Sequence, residues 1–385
     1  CLFALGPGTR PGSVGLRHLL PTAPCGFEEY FSLGLTCFLM TQELPKIIGT
    51  EPELDELLTR PSLALVEFIR KVSSPLLVLG AGGKMGPGLA VLAKRAAELA
   101  NHPLEVIAVS RFSNPACRSW LESKGVHTES VDLLDSRAVG LLPSCANLIY
   151  LVGQKFGTAQ NPASTWVMNT VVPAYVSERY SQTRMVVLST ANVYPFTEAS
   201  RGGSLETDPL GASGEYASAA IGRERVFEYY SRRDGVSVAM LRLQYAVELR
   251  YGVLVDIASK IYEGEAVPLG NGYFNCIWQG DANEMILRSL SLAASPLVAR
   301  NLCRPEILSV RSIALRFGEL LNKTPQFRGQ EEPTALVSNS ERLCTELGMP
   351  AVSVETMLGW IARWVRQGGV NLGRPTHFET RDGNY

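Results

Sequence analysis

The sequence has no excess charge of either sign and no long apolar run. Its 36 basic and 37 acidic residues leave a net charge of −1, which argues against a partner held mainly by charge, such as nucleic acid or an anionic membrane surface. The longest nearly apolar stretch, FSLGLTCFLM at residues 31–40, is shorter than the ~20 residues that a membrane-spanning helix needs. We therefore expect neither a nucleic-acid partner nor a membrane segment.

Spaced metal ligands and cysteine pairs are also lacking. None of the eight cysteines belongs to a CxxC pair, and the four histidines are scattered along the chain. In a chain of this length, the pattern is typical of reduced thiols in a cytoplasmic protein, and it predicts no metal site. Residues 1–39 are rich in Gly, Pro and Leu without periodicity, so we expect a disordered N-terminal extension that takes no part in the fold.

From Pro75 onward, apolar strands alternate with amphipathic helices. The segments PLLVLGAG, LEVIAVS, NLIYLVG and RMVVLST are typical of parallel strands that are buried on both faces. The alternation predicts an α/β fold with a Rossmann-type, doubly wound parallel sheet. We expect a helical lead-in over residues 40–74, a dinucleotide-binding Rossmann domain over 75–250, and a smaller, mostly helical C-terminal substrate domain over 251–385.

Three glycines follow the first predicted strand at the spacing GxxGxxG. Gly80 permits a tight turn, Gly83 lets the backbone approach a pyrophosphate, and Gly86 allows close packing of helix on strand. The N-terminus of the next helix favours the anion. We include Lys84 and Met85, which lie between the last two glycines, in the predicted cofactor-binding set.

The end of the second predicted strand bears on the choice of cofactor. A carboxylate there would bind the ribose 2′-hydroxyl of NAD, but the chain has Ser110 and Arg111. A hydroxyl and a guanidinium suit a 2′-phosphate, which favours NADP, with NAD as the alternative. Arg111 is otherwise an exposed arginine that begins a loop. Asp132 ends the third strand, where its carboxylate can accept from the adenine amino group.

With these residues, the chain resembles the extended short-chain dehydrogenase/reductase superfamily, of the NAD(P)-dependent epimerase/dehydratase type, from about Pro75 to Gln367. The resemblance implies that a Ser or Thr and a Tyr bind the reacting oxygen, and that the Tyr exchanges its proton while the nicotinamide exchanges a hydride. The matching segments are the glycine loop, VDLLD with Asp132 and Leu133, LVG with Val152 and Gly153, LSTANVYPF with Thr190 as the catalytic hydroxyl, and EYASA with Tyr216 as the catalytic tyrosine.

The chain departs from the family four residues after Tyr216. Ala220 stands where the family has a lysine that holds the nicotinamide ribose and lowers the pKa of the tyrosine. Arg223 returns to the Tyr216 face of the helix, and helical side chains lean toward the N-terminus. We predict that Arg223 partly replaces the lysine. The alternative is that Arg223 pairs with Glu224, Glu228 or a partner subunit.

The sequence thus predicts an NAD(P)-dependent oxidoreductase or epimerase/dehydratase that acts on a hydroxyl or carbonyl of a sugar or sugar derivative. The sugar is implied by the resemblance alone, because the family's usual substrate segment is replaced by GYFNCIWQGDANE. The alternative, favoured by Ala220, is a dinucleotide-binding sensor or scaffold without turnover. The segment RERVFEYYSRR at residues 223–233 either forms a homodimer face or is a solvated, charged helix surface.

Overall fold

The computed structural model describes residues 43–155, 157–211, 213–374 and 376–383. The predicted N-terminal extension, residues 1–39, lies outside these ranges. The strands are β1 (Leu76–Leu79), β2 (Val106–Ser110), β3 (His127–Ser130), β4 (Asn147–Tyr150), β5 (Arg184–Thr190), β6 (Thr197–Glu198), β7 (Val238–Leu243), β8 (Tyr245–Val247), β9 (Ala266–Pro268), β10 (Tyr273–Phe274), β11 (Cys276–Trp278), β12 (Val298–Leu302), β13 (Leu308–Ser309), β14 (Gln326–Arg328) and β15 (Thr334–Ala335).

Helices connect these strands. They are α1 (Glu51–Leu58), α2 (Leu63–Ile69), α3 (Gly86–Leu99), α4 (Pro115–Ser123), α5 (Ser136–Leu141), α6 (Pro162–Trp166), α7 (Val172–Arg179), α8 (Gly214–Asp234), α9 (Val253–Glu263), α10 (Gln279–Arg288), α11 (Val310–Leu321), α12 (Glu341–Leu347) and α13 (Val354–Arg366). Short 3-10 helices span Ala191–Val193, Ala199–Arg201 and Ser289–Leu292, and a π-turn spans Val167–Val171. None of the helices in the described ranges is both long and apolar enough to cross a membrane.

Seven strands form one parallel sheet in the order β12-β7-β5-β4-β1-β2-β3. The register places Leu79 at the end of β1 beside Val109 of β2 and Tyr150 of β4. The chain moves from β1 to one side for β2 and β3, then crosses to the other side for β4. A crevice therefore opens beyond the carboxyl ends of β1 and β4, where ligands of doubly wound sheets bind. The predicted α/β Rossmann-type fold is confirmed.

The buried side chains explain why this sheet forms. All four residues of β1 and of β4 are buried, as apolar strands covered by helices on both faces require. One apolar cluster joins the sheet to α8 through Phe227, whose ring meets Tyr150 edge-on with centroids 5.1 Å apart. The outermost strand, β12, lies beyond residue 250 in the sequence and pairs with β7 in parallel.

A second apolar cluster lies among α1, α9, α11 and α13 and includes the buried Trp278. The lead-in helix α1 contributes Leu54 to this cluster. A capping box starts this helix, because Glu53 N–H donates to Thr50 Oγ1 (3.4 Å) and Thr50 N–H donates to the Glu53 carboxylate (3.1 Å). The lead-in thus packs on residues that come from the C-terminal third of the chain.

Candidate active site

The glycine loop turns where β1 meets α3. Gly80 has φ +82°, a conformation that glycine adopts without strain. A Cβ on Gly80 would lie 3.0 Å from the backbone of Leu151 and Val152, and one on Gly86 would lie 2.6 Å from the Cα and carbonyl oxygen of Ala81. Both glycines are therefore required for close backbone approach. Among the described residues, no side chain caps the N-terminus of α3.

A cavity with a volume of about 490 Å³ opens on one side of this loop. We call it the nucleotide-end cavity, because residues that we predicted to contact the ribose and the adenine line it. Its lining includes six predicted residues beside the loop glycines, namely Ser110, Arg111, Asp132, Leu133, Val152 and Gly153. Asp132 Oδ1 accepts from Leu134 N–H (3.1 Å), which fixes the carboxylate at the end of the strand. The side chains that we predicted for the ribose and adenine ends thus share one cavity wall.

A second cavity, of about 290 Å³, opens on the other side of the loop. We call it the reaction-end cavity, because the predicted catalytic residues Thr190 and Tyr216 line it. Gly80, Gly83, Leu151 and Gly153 line both cavities. The reaction-end wall also brings together six of the predicted residues, which are Lys84, Met85, Gly86, Thr190, Tyr216 and Arg223. The two cavities therefore form a path from the end of β2 to the start of α8.

Thr190 and Tyr216 reach this wall from two different elements. Thr190 ends β5 and is held by a tight turn, because its Oγ1 donates to Asn192 Oδ1 (3.0 Å) and accepts from Asn192 N–H (3.2 Å). Tyr216 lies in the first turn of α8, where 8% of its surface is exposed. A hydroxyl and a phenol on one cavity wall can together bind one oxygen atom of a ligand.

Ala220 is fully buried in a small apolar cluster with Ala191, Val193 and Tyr194. This cluster packs the first turns of α8 against the turn that follows β5. Within the described chain, Ala220 does not belong to the lining of the reaction-end cavity. The position that holds the family's lysine serves here as an apolar packing position.

Arg223 lines the reaction-end cavity, but its guanidinium also holds the backbone together. Its Nη1 donates to the Val152 carbonyl (3.1 Å) and to Asn169 Oδ1 (3.0 Å). Asn169 in turn donates to the carbonyls of Thr165 (2.8 Å) and Gln154 (3.3 Å). That Arg223 acts directly on the reaction stays a prediction. The described contacts of its guanidinium hold the carboxyl end of β4 in place.

The π-turn presents Asn169 to Arg223. Val172 N–H donates to the Val167 carbonyl, five residues earlier, whereas an α-helix bonds to the fourth. Pro173 follows directly, and proline lacks an N–H that could donate to the Asn169 carbonyl. One turn of the helix therefore contains one additional residue at this point.

Glu224, one of the partners suggested for Arg223, instead forms a buried ion pair with Arg242. Their Oε2 and Nη2 atoms are 2.8 Å apart, and the two side chains are 6% and 7% exposed. Ser189 Oγ donates to Glu224 (2.6 Å), and Arg242 donates to the Tyr194 hydroxyl (2.7 Å), which donates to Asn301 (2.8 Å). This network ties α8 to β5, β7 and β12 directly beneath Thr190.

Glu228, the other suggested partner, lies on the surface of α8. Its carboxylate pairs with Arg225 (2.6 Å) and Arg232 (3.1 Å). Both pairs lie at helical spacings of three or four residues, where oppositely charged side chains meet. Neither glutamate is therefore the described partner of Arg223.

Two lysines line the reaction-end cavity. Lys84 Nζ donates to the Ala246 carbonyl (2.8 Å) and lies 3.7 Å from the centroid of the Tyr251 ring. The surrounding protein displaces water from this ammonium and lowers the pKa of Lys84 to about 7. Lys155 Nζ donates to the Thr376 carbonyl (3.4 Å), and burial lowers the pKa of Lys155 to about 8.

Sequence reasoning missed Lys155 and Tyr251. Lys155 follows the predicted segment NLIYLVG by two residues, so its proximity to the carboxyl end of β4 was available as a signal. Tyr251 follows β8, and no local pattern distinguishes it from any other tyrosine. Among the described residues, no three His, Cys, Asp or Glu side chains come together to hold a metal ion.

The site residues fit a dinucleotide. Backbone contacts leave no room for a Cβ at Gly80 or Gly86, and the uncapped start of α3 offers N–H groups to an anion. The two connected cavities provide one space for each half of such a ligand. Fold and cavities together define a dinucleotide-binding α/β protein of the Rossmann type.

The family model described as the NAD dependent epimerase/dehydratase family matches residues 76–273, just over half of the 385-residue chain. The protein belongs to this family, whose members are NAD-dependent enzymes. No match was found among curated protein sequences.

Solved structures of three related enzymes share the fold. UDP-glucose 4-epimerase from Thermotoga maritima is 17% identical with a TM-score of 0.61, and the alignment covers 76% of this chain and 99% of that one. UDP-glucuronic acid 4-epimerase from Bacillus cereus, solved with UDP-glucuronic acid and NAD, is 15% identical with a TM-score of 0.63 and the same coverage. dTDP-glucose 4,6-dehydratase from Bacillus anthracis, solved with NAD, is 14% identical with a TM-score of 0.65, covering 77% and 97%.

Proposed function

We propose that this protein oxidises or reduces a carbinol carbon of a sugar derivative, as a complete reaction or as one step of an epimerisation or dehydration. The observation that carries this proposal is the placement of Thr190 and Tyr216. Both line the cavity that continues from the glycine loop. They approach it from β5 and α8, which the buried hydrogen bond from Ser189 to Glu224 joins.

The dinucleotide, when bound, supplies the nicotinamide that accepts or returns a hydride. Tyr216 takes the proton of the substrate hydroxyl onto its phenolate oxygen as the carbon loses its hydride and the C–O bond becomes a carbonyl. When substrate binds, the Thr190 hydroxyl turns its single proton from Asn192 Oδ1 to the reacting oxygen and fixes that oxygen between the two side chains. In the reverse direction Tyr216 returns the proton to the carbonyl oxygen, so one group acts as both general base and general acid.

We propose a nucleotide sugar as the substrate class, with residues 251–385 as the substrate side of the site. The support is that Tyr251 and Leu336, from this part of the chain, line the reaction-end cavity together with Tyr216. Three structurally similar enzymes act on UDP-glucose, UDP-glucuronic acid or dTDP-glucose, as their names state. These three compounds are therefore the first to test.

We propose NADP as the preferred cofactor, with NAD as the alternative. Ser110 and Arg111 line the nucleotide-end cavity, where a hydroxyl and a guanidinium can donate hydrogen bonds to a 2′-phosphate. The similar structures from Bacillus cereus and Bacillus anthracis contain NAD, as their descriptions state. The preference of this chain therefore depends on its own residues at the end of β2.

The test compares wild-type protein with Tyr216→Phe and Thr190→Ala. Each variant should lose most turnover, by ~10²–10⁴-fold for the tyrosine, while cofactor affinity measured by fluorescence stays the same. Turnover is followed by nicotinamide absorbance and by chromatography of the sugar nucleotides. Near-normal rates in both variants would place the chemistry elsewhere. Cofactor binding without turnover of any sugar nucleotide would favour a sensor or scaffold.

A further inference from the structure

The reaction end lacks a cation from α8 at the usual place, yet a cation reaches it from the glycine loop. Ala220 is buried among apolar side chains, whereas Lys84 extends from the loop between Gly83 and α3 into the cavity that Tyr216 lines. Building on the proposed function, we propose that Lys84 supplies the positive charge of the reaction end, in place of the lysine that the family has at position 220.

The contacts of Lys84 point its ammonium at the reaction end. It donates to the carbonyl of Ala246 in β8 and lies over the face of the Tyr251 ring. Tyr251 and Tyr216 line the same cavity and are close enough to interact electrostatically. Lys84 therefore contacts Tyr251 inside the cavity that Tyr216 also lines.

Two other cations line the cavity, and each has hydrogen-bond partners of its own. Arg223 Nη1 is held by the Val152 carbonyl and Asn169, at the carboxyl end of β4. Lys155 Nζ reaches the Thr376 carbonyl in the C-terminal segment, and its charge interacts with Asp256. Lys84 contacts the ring of Tyr251, which lines the same cavity as Tyr216.

The charge of Lys84 depends on what shares the cavity. Displaced water lowers the pKa of Lys84 to about 7, Glu248 and Asp256 oppose this shift, and Arg250 adds to it. The neutral amine of Lys84 is therefore populated near pH 7 when the cavity holds no anion. A negatively charged dinucleotide stabilises the charged form, so Lys84 should take up a proton when the cofactor binds above pH 7.

The first experiment measures this proton directly, without turnover. Cofactor is titrated calorimetrically at pH 8 in buffers of different ionisation enthalpy, using wild-type protein, Lys84→Met and Lys94→Met. Lys94, on the outer face of α3 and paired with Glu98, is the matched control. Lys155 also titrates in this range, so the share of Lys84 is the difference between wild type and Lys84→Met. We expect a difference of roughly 0.5–1 proton and none for Lys94→Met.

The second experiment separates charge from structure in the reaction itself. The pH at which kcat/KM reaches half its maximum should rise by about 1–2 units in Lys84→Met, because a nearby cation favours the ionised form of an acid. Below that pH, the rate should fall roughly 10–100-fold. Lys84→Arg keeps the charge and should restore the pH profile, at least in part, which a purely structural role of Lys84 would not require.

The outcomes separate this proposal from the proposed function. If Tyr216→Phe abolishes turnover while Lys84→Met keeps the wild-type pH profile or the wild-type proton uptake, the assignment of Lys84 is wrong and the proposed function stands. If Tyr216→Phe turns over normally, the proposed function itself is wrong. The proposal is supported if Lys84→Met loses the proton uptake and shifts the pH of half-maximal kcat/KM upward, and if Lys84→Arg restores the wild-type pH profile.

Discussion

The nucleotide end and the reaction end of the site are built in different ways. The nucleotide end depends on backbone geometry, because a Cβ on Gly80, which lines its cavity, would lie 3.0 Å from the backbone of Leu151 and Val152. The reaction end depends on side chains from β5, α8, the glycine loop and the turn after β8. A site made from backbone tolerates few changes, whereas a site made from side chains can receive the same charge from another element. Ala220 and Lys84 illustrate such an exchange.

The largest effect is expected from a substitution at position 220, which tests whether this side chain lines the cavity or packs in the apolar cluster. Ala220→Lys places an amine in the apolar cluster with Ala191 and Val193. Holding a lysine neutral at pH 7 costs about 5 kcal/mol relative to its ordinary pKa. We expect a large loss of stability on urea unfolding. Ser218→Lys, on the half-exposed side of the same helix turn, should change stability by less than about 1 kcal/mol.

If Ala220→Lys instead folds with wild-type stability and lowers the pH of half-maximal activity, then position 220 does reach the cavity. The two ends of the site would then differ less than the structure indicates. A melting curve and a pH–rate profile of the same variant are sufficient to decide.

The next effect concerns the network beneath Thr190. Glu224→Gln removes one charge of a buried pair and leaves Arg242 without its counter-charge, which should cost about 3–5 kcal/mol. The matched control is Glu228→Gln on the surface of the same helix, where paired charges contribute about 0–1 kcal/mol. Unfolding in urea measures both. Equal effects would show that the buried pair does not hold the reaction end together.

A smaller effect is expected where the glycine loop enters α3. Gly86→Ala brings a Cβ to 2.6 Å from the Ala81 backbone, and overpacking of this kind costs about 1–3 kcal/mol. Cofactor affinity should fall with stability, because the loop itself must move. Gly140→Ala in α5, whose Cβ would meet no atom within 4 Å, should be stabilising by about 0.4–1 kcal/mol. An unaffected cofactor affinity in Gly86→Ala would contradict the backbone account.

The smallest effect distinguishes the two cofactors. Arg111→Ala should weaken NADP binding about tenfold, or roughly 1.4 kcal/mol, and leave NAD binding unchanged, because only NADP has the 2′-phosphate. Fluorescence titration with both cofactors measures the difference. An equal loss of affinity for both cofactors would show that Arg111 attracts any anionic dinucleotide and does not recognise the 2′-phosphate.

The nucleotide end was more accessible to sequence reasoning because its elements are local. Strand, glycines and helix follow one another between Leu76 and Leu99, so spacing alone predicts their geometry, and the sheet order confirms the fold. The reaction end depends on contacts between distant parts of the chain. Lys84 and Tyr251 are 167 positions apart in the numbering and meet only after folding. Helical periodicity placed Arg223 on the face of Tyr216, but it could not show that Asn169 holds the guanidinium.

The π-turn at Val167–Val171 affects how this chain should be compared with its relatives. Such a turn contains one residue more than an α-helix of the same rise. An ungapped alignment with a regular helix therefore shifts every later residue of α7 by one position, which corresponds to a rotation of about 100° around the axis. Buried Val176 would then be compared with residues from another face of that helix. An alignment with any relative whose helix is regular at this place needs a single-residue gap beside Asn169, or it compares core residues of one chain with surface residues of the other.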